Sequence, residues 1–185
     1  MTADGWVQAG VEVYGGPLLN SWLDLELRFA GRLALDDGTQ VLAATGPVGR
    51  IPQLAIHLDR EVNEGLTLKR QRHTNPVVGA LAPRGEGAGE AEADGLAARV
   101  PGDVLTALAA AAGVDPAAVR GHDVVVADAQ APGLFGLAGE FFASGRLDNL
   151  SSVHAGLVAL EELAREHGGA EGAIAYEGTV AGGVA

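Results

Sequence analysis

From Leu25 the chain alternates. Leu25, Leu27, Phe29, Gly31, Leu33 and Leu35 stand at odd positions; Glu26, Arg28, Ala30, Arg32 and Ala34 fall between them. A period of two marks a half-buried strand. Asp36-Asp37-Gly38-Thr39 supplies a turn and Val41–Ala43 a return strand, so a β-hairpin is expected here. Two further strands are expected: Val11–Tyr14, ended by Gly15-Gly16-Pro17, and a buried one over Asp123–Asp128, with three consecutive valines.

The helical period appears later. Asp103 is expected to cap a helix through Ala112 that Gly113 stops, and Asp115-Pro116 opens a second short helix, with Asp as cap and Pro at the first helical position. Apolar residues at 150, 153, 157, 160 and 163 form a stripe at helical spacing on a helix that begins at Asp148. Arg165 and His167 near its end suit the helix dipole, and Gly168-Gly169 ends it. A last short strand is expected at Ala173–Tyr176. Residues 81–100 are mostly Gly, Ala and Glu. They offer too little apolar surface to offset ordering entropy, which predicts a mobile surface loop. No internal repeat is visible.

Composition narrows the class. The chain has 185 residues, of which 48% are apolar but only 4% aromatic, so the core must be built from Ala, Leu, Val and Gly. Twelve basic against twenty-four acidic residues give a net charge of −12, which argues against nucleic acid or an anionic membrane as partner. The same charge disfavours an acidic substrate unless a local basic pocket overrides it. The sequence contains no cysteine, which removes disulfides, zinc fingers and thiol nucleophiles and is compatible with a reducing cytoplasm. The first residues, MTADGWVQAG, lack a basic stretch followed by an apolar one, so no signal peptide is read, and no apolar run is long enough to span a bilayer. The expectation is a cytoplasmic protein. Neither a phosphate-binding Gly-x-x-x-x-Gly-Lys loop nor a Gly-x-Ser-x-Gly elbow occurs.

The entry to the last helix raises a chemical question. Arg146-Leu147-Asp148-Asn149 is a polar step directly after Glu140-Phe141-Phe142-Ala143. By the residues alone, Asp148 is most simply a helix cap accepting from the amides at 150 or 151. A metal ligand is the alternative.

VEVYGGPLLNSWLD, AGRL, RIPQLAIHLDREVNEGL, DPAAV and GLAGEFFASGRLDNLSSVHAGLVAL, in this order and spacing, resemble the aspartyl aminopeptidases. These are two-zinc metallopeptidases that remove N-terminal Asp or Glu from peptides. The likeness covers roughly residues 10–163 and leaves 81–100 unmatched. It implies an α+β chain: a β-rich inserted dimerisation domain over about 10–140, followed by an α/β portion of the zinc-peptidase catalytic domain over 141–185. It also implies a dimer-based homo-oligomer, a hollow dodecamer in that family.

The resemblance assigns roles to two residues. Asp148 matches the carboxylate that bridges the two zinc ions, an arrangement that holds two cations around one water and lowers its pKa. His57, in AIHLDR, matches a histidine that reaches the partner subunit's active site and helps hold the substrate's reacting carbonyl, where a donor stabilises developing negative charge. On the residues alone, His57 reads as a half-buried histidine at a strand edge. His73 reads as loop chemistry, His122 as a strand start, and His154 as packed on the apolar side of its helix. Asp24 and Glu26 lie where the family has an acidic pair around an arginine. Leu25 replaces that arginine, and no site is assigned there.

Much of the family's machinery is not matched. Its upstream histidine ligand has no counterpart here, and the segment expected to hold its His-Glu-Glu motif reads AIAYEGTVAGG. The resemblance therefore implies a portion of an aminopeptidase that lacks most metal ligands and the general base, and that is inactive by itself. A non-catalytic oligomerisation module, or a degenerate relative, is the alternative.

Overall fold

The computed structural model describes residues 2–3, 5–81 and 102–166. Nearly all of the 81–100 segment, and everything expected beyond Glu166, lies outside them. The described chain forms two compact units, one ending at Ala129 and one starting at Gln130.

The first unit is built around the expected hairpin. Strand β3 (Leu27–Leu35) is central in a three-stranded antiparallel sheet, flanked by β4 (Gln40–Ala44) and β6 (Val119–Asp128). Alternation explains its position. Leu27 and Leu33 are fully buried and Phe29 nearly so, while Arg32 faces solvent. The hairpin turn closes on Gly38, at φ 84°, and on Asp37, whose carboxylate accepts from both the amide and the hydroxyl of Thr39. Those bonds, the hydroxyl's first, hold the Asp37 carboxyl below its ordinary pKa.

Helix α2 (Val104–Ala112; α1 is introduced below) covers the sheet's inner face. Leu108 and Ala109 pack with Phe29, Leu33 and Ala43, and Val124 and Val126 of β6 join the same cluster. Each fully buried Leu or Phe here stabilises the fold by about 1.5–3 kcal/mol. Both ends of α2 form as the sequence suggests. The Asp103 carboxylate accepts from the Thr106 amide at 2.7 Å, and Gly113 turns left-handed at φ 69°. The Gly113 and Val114 amides then bond back to Ala110 and Ala109, closing the helix. Asp115 caps the 3-10 turn Pro116–Ala118.

A second small sheet joins β1 (Thr2–Ala3), β2 (Trp6–Gln8) and β5 (Val77–Ala80). The expected strand at Val11–Tyr14 is not there: those residues have no strand partner, and the strand lies earlier, at Trp6–Gln8. The ladder stops for a chemical reason. Pro76 accepts from the Ala9 amide but has no N–H to return, and beyond it Val11 is held by the Asn75 side chain instead. The valines of β6 also differ from expectation. The strand runs longer, from Val119, so His122 lies inside it, and it is a half-buried edge with Val125 facing outward.

The second unit holds a hairpin of β7 (Gly133–Phe135) and β8 (Phe141–Ala143), then the long helix α3 (Leu147–Glu166). The Phe135 and Phe141 rings lie 5.2 Å apart. No residue of α3 is buried. The stripe Leu150, Val153, Leu157, Leu160 and Leu163 is laid out as the spacing implies, and each of these side chains is about half exposed. His154, expected to be packed, is exposed too, because among the described residues nothing covers that helix face.

Candidate functional site

Asp148 does not behave as a cap. The backbone at Asp148 (φ −88°, ψ 106°) and Asn149 is non-helical, and the peptide bond between them is cis. Regular helix starts at Leu150, whose amide bonds to the Arg146 carbonyl at 3.2 Å rather than to the Asp148 side chain. Ser151 donates its hydroxyl to Leu147. Among the described residues nothing donates to the Asp148 carboxylate, which is exposed at the head of the helix.

His57 is not on a strand edge. It sits in an exposed turn closed by the Leu58 and Asp59 amides, both bonding to the Ala55 carbonyl. Its neighbours Leu54, Ile56 and Leu58 are 59%, 49% and 75% exposed. Three large apolar side chains thus stand exposed within three residues of His57 on a solvent-facing turn.

The remaining histidines stay outside this picture. His73 ends the short helix α1 (Arg70–His73) and accepts from the Lys69 amide through Nδ1, a local structural role. His122 is exposed on β6, opposite Leu33. Glu26 contributes its carbonyl to the Ala129 amide. Asp24 is different. Sequence reasoning set it aside, yet it adopts a left-handed conformation at φ 57° and its carboxylate accepts from the Gln53 amide at 3.2 Å.

His57 belongs to the first unit and Asp148 to the second. No group of three or more His, Asp or Glu side chains among the described residues is arranged to hold a metal ion. A structural or catalytic zinc wants three or four protein ligands. The described residues therefore do not by themselves fit a two-zinc centre.

A family model described as aminopeptidase I zinc metalloprotease (M18) matches residues 1–174. The chain belongs to the M18 family. It is 43% identical over 176 residues to a probable M18 family aminopeptidase 2 of Streptomyces avermitilis, an alignment covering 94% of this chain and 36% of that protein. Among solved structures, it resembles a chain of the Ape4–Nbr1 complex with a TM-score of 0.65 and 32% identity, covering 81% of this chain and 30% of that one. It resembles the S. cerevisiae mApe1 dodecamer with a TM-score of 0.58 and 27% identity, covering 86% and 33%. This M18 chain thus spans about a third of the length of the relatives it matches. Its mixed small sheets and helices are the α+β architecture that the resemblance implies. No described helix is long and apolar enough to cross a membrane.

Proposed function

We propose that this M18 chain is the portion of a zinc aminopeptidase that mounts one metal-facing carboxylate, Asp148, and presents His57 to the active site of a partner subunit. Residues 10–140 are its dimerisation domain and 141–185 belong to its catalytic domain. The enzyme acts on peptides with N-terminal Asp or Glu, in the cytoplasm, as a dimer-based homo-oligomer holding two zinc ions. The observation that carries this reading is the Asp148 carboxylate: exposed, held on non-helical backbone, and left without a donor where a capping residue would have one.

The His57 turn supports the partner role. The exposed Leu54, Ile56 and Leu58 on the same turn offer an apolar surface that a partner subunit would cover. In the M18 family, described as zinc metalloproteases, a histidine brought to the reacting carbonyl in this way would act as a donor to the developing negative charge.

A chimera tests the assignment. In it, residues 10–163 of this chain replace the matching segment of the Streptomyces avermitilis relative. The chimera cleaves Asp- and Glu-peptides faster than Ala- or Leu-peptides, and His57→Gln lowers kcat by about a hundredfold with little change in KM. Unchanged kcat in His57→Gln would remove His57 from the site.

One observation favours a second description for the chain taken by itself. With a single candidate ligand among the described residues, the isolated chain is an assembly module rather than a peptidase.

A further inference from the structure

The His57 turn leaves the core at a single point. Gly49 exchanges backbone bonds with Leu27, Arg50 exchanges them with Val77, and the buried Ile51 accepts from the Asp24 amide at 2.9 Å. The Gln53 amide then bonds to the Asp24 carboxylate. From Leu54 to Leu68, the hydrogen bonds among the described residues are local turns, and no ion pair ties this stretch to the rest of the unit. Among the described residues, the Asp24–Gln53 bond is thus the last hydrogen bond joining the turn to the rest of the unit. The far end of the excursion is held differently: Leu66 and Leu68 line an open hollow with Pro17–Asn20.

Asp24 sustains an uncommon backbone to make that bond. A left-handed φ of 57° costs a non-glycine residue energy, though Asp and Asn bear it better than most. The conformation lets one residue grip the outgoing segment twice, through its amide to Ile51 and through its carboxylate to Gln53.

We propose that Asp24 is a positioning residue for His57, fixing through Gln53 the point from which the histidine-bearing turn projects. This rests on the reading of His57 given above, but its test does not. The measurement is amide hydrogen exchange and NMR on the 185-residue chain with Asp24→Gly and Asp24→Asn. Glycine keeps the left-handed backbone and removes the acceptor; asparagine keeps both, with a neutral oxygen. In Asp24→Gly the Gln53 amide exchanges at least about fivefold faster, and the His57 ring and the Leu54–Leu58 amides shift and sharpen. Asp24→Asn restores most of the protection. The Phe29 and Leu33 amides of β3 stay unchanged in both.

Three results would overturn the proposal. Gln53 exchange could be unaltered in Asp24→Gly, the asparagine variant could behave like glycine, or β3 could lose protection in parallel, which would make Asp24 a residue of general stability. The chimera separates the two readings. A turn loosened by Asp24→Gly, beside a chimera indifferent to His57→Gln, keeps the anchor and discards the donor.

Discussion

Asp148→Ala, placed in the chimera with the Streptomyces avermitilis relative, lowers hydrolysis of Asp-peptides by more than about a hundredfold. The magnitude follows from position. Losing a group that merely orients a metal ligand costs about 10–100-fold in affinity or activity, so losing a direct carboxylate ligand costs more. A cap would give a different result. Removing one destabilises a helix by about 0.5–2 kcal/mol and leaves catalysis intact in the protein that remains folded. In the structure Leu150 bonds to Arg146 and nothing among the described residues donates to the Asp148 carboxylate, which speaks against the cap. Zinc content and kcat measured on the same preparation, with thermal unfolding as the control, distinguish the outcomes. Full activity with two zinc ions retained would make Asp148 a bystander.

Gly31→Ala has the largest expected effect on folding. A Cβ at Gly31 would lie 2.1 Å from the Asp123 carbonyl oxygen and 2.7 Å from the Val124 Cα. Both are backbone atoms of β6, and β6 is laddered to β3 along the whole strand from Leu27 to Leu35. No side chain can rotate away to make room. The strands must separate at the centre of the sheet whose inner face carries Phe29 and Leu33. The exposed Arg32–Asp123 ion pair beside the site, at 3.8 Å, is too weak to compensate. The expected loss is about 3 kcal/mol or more, which for a protein of this size lowers Tm by roughly 6–12 °C. Thermal unfolding followed by circular dichroism checks it, and a loss under about 1 kcal/mol would mean that the two strands do not approach as closely as described.

Much of the first unit could be read from the chain. The alternation of Leu27, Phe29 and Leu33 locates the central strand because one face must meet α2 and the other meets water. Asp103 and Gly113 bracket α2 because a carboxylate satisfies free amides and a glycine accepts a left-handed φ. These are local rules with local causes. Where pairing depends on distant partners, the pattern fails. Val11–Tyr14 has the composition of a strand, but Pro76 cannot extend the ladder to it. The valines of β6 look like a buried core strand, yet lie at a sheet edge because no fourth strand pairs there among the described residues. The β7–β8 hairpin goes unread because Gly and Phe over so few residues carry no period.

The site was less legible than the fold. Composition and spacing do not single out His57 or Asp148; both come from the ordered motifs that resemble the aminopeptidases. By itself Asp148 reads as a cap, and what speaks against it is that the Leu150 amide bonds to the Arg146 carbonyl and nothing among the described residues donates to the carboxylate. Asp24 lies where the family has an acidic pair, but Leu25 in place of the arginine left it without an assigned role. Its left-handed backbone and its bond to Gln53 are products of the tertiary path, in which Leu23 meets Ile51 in an isolated parallel bridge.

The central proposal is that this M18 chain supplies one zinc-facing carboxylate, and that its described residues do not make a complete zinc site. Calorimetric titration of zinc into the purified 185-residue chain, repeated with Asp148→Ala, tests it most directly. The account predicts no submillimolar binding in either protein, because a single carboxylate does not hold the ion. Submillimolar binding by the chain that disappears in Asp148→Ala would contradict it, and would mean that the chain assembles a metal centre of its own around that residue.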